Sequence, residues 1–152
     1  MTGWSINAAE LRIPRQSRFA AHRMIVIADP QLNAVRQLNG LASWLDPASG
    51  GWLHKPIGYL RSDRLRGYDS AKHPRTRGLH VAVNAGAVRV LANGLTAAEV
   101  EARLAPALEA MRRINALSDG PEGGAGLPYP FLGFGRNSNS FFSTMLRAMD
   151  FP

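Results

Sequence analysis

The sequence predicts an α+β domain, an antiparallel sheet of about four or five strands with two main helices packed on it. Two observations carry this. Strand-like residues run through His22–Ala28 and return through Asn33–Asn39 around a turn at Asp29–Leu32. Helical periodicity then marks two late segments, Thr96–Leu117 and Ser138–Met149.

Taken in order, residues 1–19 show no clear period and read as an extended arm. In the first hairpin His22, Met24, Val26 and Ala28 share a face, Pro30 suits the second turn position, and Gly40 closes the return strand. If Ala28 opposes Asn33, the antiparallel register places His22 opposite Asn39. Ser43–Trp52 is turn-rich and predicts a surface loop, and Lys55–Leu60 a short strand. Arg61–Gly78 is the most cationic stretch, with Tyr68 and His73 interleaved among its basic residues. It reads as a solvated basic loop or as an anion site built on Arg64, Arg66, Arg75 and Arg77. Leu79–Asn84 and Ala87–Leu91 read as a second hairpin.

Thr96 with Glu99 forms a capping box for the first helix, whose apolar stripe is Val100, Leu104, Leu108, Met111 and Ile114, with a kink expected at Pro106. Residues 119–130 are a Gly- and Pro-rich linker. In the last helix Phe141, Phe142, Met145, Leu146 and Met149 recur at helical spacing behind Asn137–Ser140. Ser138 precedes Phe141 and Phe142 by three and four residues, so it shares their buried face at the end where free amides favour negative charge. A hydroxyl there is placed either as a nucleophile beside an oxyanion site formed around Asn137 and Asn139, or as a helix cap.

The 152 residues fit one domain, 1–152, long enough to bury a core. With no cysteine there is no disulfide, thiolate metal site or Cys nucleophile. Eighteen Lys and Arg against 11 Asp and Glu give a net charge of +7, and every basic residue but Lys55 and Lys72 is arginine. Such a balance suits anionic partners, nucleic acid or lipid head groups among them. No run of apolar residues reaches membrane-spanning length, and no secretion signal is visible. The four histidines are scattered, so no metal site is expected, and neither a phosphate-cradling loop nor a Gly-x-Ser-x-Gly elbow occurs; no cofactor is expected.

A strand histidine, a polar residue across from it and a serine on a buried helix start remain. The order His22-Arg-Met-Ile-Val-Ile27, a hairpin return, then Asn137-Ser-Asn-Ser-Phe-Phe142 resembles the circularly permuted branch of the papain-like superfamily. That branch includes the lecithin:retinol acyltransferase group and bacterial relatives. The resemblance covers the two motif regions, not residues 43–116. It implies a permuted papain-like fold in which Ser138 stands where the family has Cys, His22 is the base and Asn39 orients its ring; His80 is the alternative partner. The implied activity is cleavage or transfer of an amide or ester through an acyl-enzyme, on a peptidoglycan peptide or a lipid acyl ester. A delivered bacterial toxin of this kind would have an immunity partner. Serine without an adjacent base is a weak nucleophile, so the reading requires Ser138 within hydrogen-bonding reach of His22. The competing class is a non-catalytic basic module that binds nucleic acid or anionic lipid through residues 61–77.

Overall fold

The computed structural model describes residues 3–12, 21–55, 58, 60–79, 88–118, 127–129 and 137–152. Six strands, β1 (Trp4–Arg12), β2 (Ala21–Ala28), β3 (Ala34–Leu45), β4 (Trp52–Lys55), β5 (Arg64–Asp69) and β6 (Val88–Leu95), form one antiparallel sheet. Two helices, α1 (Ala97–Ser118) and α2 (Ser138–Ala148), complete an α+β fold. The sheet is larger than expected. Most of the extra width comes from the first residues, where the expected arm is instead β1, paired with β2 on one edge and β6 on the other. Asn7, Ala8, Ala9 and Glu10 are poor strand formers in isolation, and pairing on both edges overrides that preference.

The hairpin of β2 and β3 forms around the turn at Asp29, whose carboxylate accepts from the amides of Gln31 (3.0 Å) and Asn33 (2.8 Å). β3 does not stop at Gly40 but continues to Leu45, so the expected loop begins only at Asp46. Leu38 pairs with both Ile25 and Asp69, which puts β2 and β5 on opposite edges of β3. Ala42 and Ser43 pair with both β4 and β5, so β4 takes over the edge that β2 leaves. A strand forms at Trp52–Lys55; of the expected strand at Lys55–Leu60, residues 56, 57 and 59 lie outside the described residues. Within the expected basic loop, Arg64–Asp69 is a strand and Pro74–Leu79 a 3₁₀ helix. Of the second hairpin, the strand β6 is present and extends to Leu95; residues 80–87 lie outside the described residues.

α1 starts at the expected box: the Glu99 amide donates to Thr96 Oγ1 (3.2 Å) and the Thr96 amide to Glu99 Oε2 (2.7 Å). Val100, Leu104 and Met111 enter the main core, with Leu108 and Ile114 packed against it, and the helix continues through Pro106. Ile25 and Ile27 of β2, Leu38 and Ala42 of β3 and Leu65 of β5 meet α1 and α2 in that same core. Both helices therefore cover one face of the sheet. The residues that alternate with these, His22, Met24, Val26, Gln37, Asn39 and Ser43, face away from the helices, and they too are buried.

Candidate functional site

α2 begins as the sequence predicts, and the capping residue is Asn137. Its side chain accepts from the amides of Asn139 (2.8 Å) and Ser140 (3.2 Å), and the Ser140 hydroxyl accepts from the Asn137 amide (3.4 Å). Two amides of the first turn are thus already bound within the cap, which removes them as donors to a substrate oxyanion. Ser138 is buried on the core side of the helix, and its Oγ accepts from the Tyr129 hydroxyl at 3.5 Å. Burial pushes the Tyr129 phenol up, and hydrogen bonding to Ser138 only partly offsets this, so at neutral pH the ring is an acid rather than a base. Tyr129 is held in place by a hydrogen bond that its backbone amide donates to the Asp63 carbonyl (2.9 Å). Its place at the end of a Pro-rich linker gave no sequence signal.

His22 pairs with Asn39 as expected, Nε2 lying 3.3 Å from Oδ1 with both residues buried, though the register that joins them is different. Ala28 pairs with Ala34, and a bulge then sets Ile27 against Arg36 and Ile25 against Leu38. Extended along the strand, that register carries His22 to the level of Leu41, two residues from Asn39. A slip of two preserves the face, and the diagonal neighbour remains within reach of an imidazole. Since Asn39 Oδ1 is an acceptor, the ring donates from Nε2. Desolvation holds the imidazole below its ordinary pKa, with the Asn39 hydrogen bond opposing, so it is neutral at pH 7.

The structure does not bring Ser138 and His22 together. Phe141 of α2 packs on Gly40, so Gly40 faces the helices and Asn39 turns to the other side. In β2, Ile25 and Ile27 join the core that α2 covers, whereas Met24 and Val26 form a separate cluster with Ala9 on the reverse face, which His22 shares by alternation. Sheet backbone lies between the serine and the imidazole. The expected triad of Ser138, His22 and Asn39 is therefore divided into a serine beside Tyr129 and a His–Asn pair behind the sheet. His80 and the side chain of Arg77 lie outside the described residues.

The reverse face also collects a cluster that the sequence hinted at only through its interleaved rings. Asn39, Leu41 and Ser43 of β3 stand opposite Tyr68, Arg66 and Arg64 of β5, and His54 of β4 stands opposite Ser43. The Tyr68 hydroxyl lies 2.8 Å from Ser43 Oγ, and its ring sits between His54 (5.2 Å) and His73 (5.5 Å, edge-on). Burial, and then the neighbouring His73, lower the pKa of His54. The Arg66 guanidinium stacks over Trp52 at 4.3 Å. Arg64 Nη1 donates to the carbonyls of Arg61 (3.1 Å) and Asp63 (3.2 Å). Arg61, Lys72 and Arg75 are exposed, so of the anion-site residues Arg64 and Arg66 are half-buried and Arg75 is in water. Around this end of the sheet Leu45, Leu53 and Leu60 are 48%, 41% and 55% exposed.

Among the described residues no group of three or more His, Cys, Asp or Glu is placed to hold a metal ion, and no helix is long and apolar enough to cross a membrane. No protein-family model, curated protein or solved structure matches the chain.

Proposed function

We propose that this chain is a binding module that docks on an anionic lipid surface through the end of the sheet formed by β3, β4 and β5. The observation that carries this reading is the Arg66–Trp52 stack, together with exposed cations at Arg61, Lys72 and Arg75 and exposed leucines at Leu45, Leu53 and Leu60 on or next to the same three strands. Arg61, Lys72 and Arg75 supply charge that attracts phospholipid head groups, while Leu45, Leu53 and Leu60 supply aliphatic surface that gains by leaving water. Single-stranded nucleic acid is the poorer fit, because it is held by open aromatic faces. Here Tyr68 is buried and Arg66 covers a face of Trp52.

Cosedimentation with phosphatidylcholine vesicles, with and without phosphatidylserine, tests the reading. Binding is expected only with phosphatidylserine and is expected to weaken as salt rises. Because each cation near such a surface contributes about 1 kcal/mol, joint replacement of Arg61, Lys72 and Arg75 by Ala should weaken it on the order of a hundredfold. Equal binding to both vesicle types, or capture of single-stranded nucleic acid in place of vesicles, overturns it.

Acyl transfer through Ser138 is the second reading, favoured by its buried hydroxyl at a helix start beside Tyr129. A fluorophosphonate probe reports it directly. Under this reading Ser138→Ala abolishes labelling, Tyr129→Phe reduces it, and His22→Ala leaves it unchanged, since His22 faces away from α2. Absence of labelling in the parent protein leaves Ser138 as a packing residue.

A further inference from the structure

A hollow of about 480 Å³ opens on the helix-covered face at the other side of the sheet, where β6, β1 and β2 run together. Its floor follows from the register: Ala8 of β1 stands opposite both Arg89 of β6 and Ile25 of β2, and Glu10 stands opposite Arg23. Alanine in a row of larger side chains leaves the depression, and Phe142 of α2 lines it from above.

The polar lining is unequal. Arg23 Nε donates to Glu10 Oε2 at 3.2 Å, which leaves the terminal nitrogens of that guanidinium for another acceptor. Arg89 is exposed at the rim and has no hydrogen-bond or ion-pair partner among the described residues. Among the described residues the lining carries two guanidiniums and one carboxylate, a net charge of +1. A singly charged anion neutralises it, and a planar carboxylate matches the guanidinium fork. Phe142 and Ala8 then offer an apolar body something to pack on. The volume falls within the range of small-ligand sites.

We infer that this hollow binds a monocarboxylate with an apolar body, the carboxylate held by Arg89 and Arg23 and the body laid between Ala8 and Phe142. The site is separate from the lipid-docking end and does not rest on it. Fatty acids and aromatic acids share this chemistry, and the probes distinguish them.

Calorimetric titration of the whole chain with sodium decanoate and with sodium 2-naphthoate is the test. Saturable binding of at least one acid is expected, the stronger naming the source, and 1-decanol, which has the same kind of body without the charge, should bind far more weakly. Arg89→Ala should weaken the preferred acid by roughly tenfold to a hundredfold, as loss of a charge-assisted hydrogen bond does. Ala8→Leu fills the floor and should abolish binding while thermal melting shows the protein still folded and vesicle binding unchanged. If Ala8→Leu does not fold, Ala8→Ser, which keeps the space, should bind as the parent does, and the Arg89 variant decides. No saturable binding of either acid, decanol binding as tightly as decanoate, or undiminished affinity in Arg89→Ala overturns the inference.

Discussion

Gly40→Ala is expected to lower the melting temperature by roughly 10 °C, corresponding to a loss of about 3 kcal/mol for a domain of this size. A Cβ at this position would lie 2.5 Å from Phe141 Cγ and 2.6 Å from Phe141 Cβ. The second contact matters more than the first. Turning the ring moves Cγ substituents but leaves Phe141 Cβ where the helix backbone holds it, so α2 itself must rise from the sheet. Gly67 meets the same ring and Met111 from the neighbouring strand, so Phe141 sits in a trough made by two glycines paired across β3 and β5. A double-mutant cycle measures the coupling. Phe141→Ala alone should cost about 3–5 kcal/mol, and adding Gly40→Ala to it should cost little more, because the clash is already gone. A Gly40→Ala protein that melts like the parent would show that α2 does not bear on β3 as described.

Asp69→Ala is the second large effect, expected to cost about 3–5 kcal/mol, the range for removing one member of a buried ion pair. Both carboxylate oxygens of Asp69 are bound by Arg36, Nε to Oδ1 at 2.9 Å and Nη2 to Oδ2 at 2.7 Å, and Oδ1 also accepts from the Ala71 amide at 3.0 Å. Among the described residues the substitution therefore leaves a largely buried guanidinium with only the exposed Glu101, and it removes the carboxylate that accepts from the Ala71 amide after β5. Burial alone would push the Asp69 carboxyl up, but the hydrogen bonds from Arg36 and Ala71 and the charges of Arg36 and Lys72 outweigh it and hold the pKa below its usual value. The folded state then binds this proton more weakly than the unfolded chain does. Its contribution is present above the ordinary carboxylate pKa and is lost as pH falls below it. Urea unfolding of the parent and of Asp69→Asn from neutral to acidic pH checks the sign: the gap between them should be widest at neutral pH and close in acid. A gap that widens in acid contradicts the pairing.

What could be read from the chain was what local residues decide. The β2–β3 hairpin, the Thr96–Glu99 box, the stripe on α1 and the buried face of α2 each depend on neighbours a few positions away, and all of them form. Gly40 was misread as a strand end because the residue that requires it, Phe141, comes from a distant helix. Arg64 and Arg66 suggested a solvated loop because charge outweighed the alternation with Leu65 and Gly67. In the folded chain Arg66 lies on a pleated surface against Trp52. The His22–Asn39 pair was found from a register two residues out, which the diagonal geometry of antiparallel strands forgave. The placement of His22 toward Ser138 could not have been read from the strand itself. β2 is buried on both faces, so its pattern does not say which face the helices cover.

The position of β1 between β2 and β6 also fixes how the chain can assemble. The β1–β2–β3 meander closes short connections, steps that take microseconds. β6 returns only after β3, β4 and β5, so the second edge of β1 stays open until that long excursion closes. In the meantime the half-built sheet presents an unpaired row of amides and carbonyls that a β6 from another chain can occupy as well as its own. Refolding at high protein concentration therefore favours strand exchange between chains, and dilution favours the monomer.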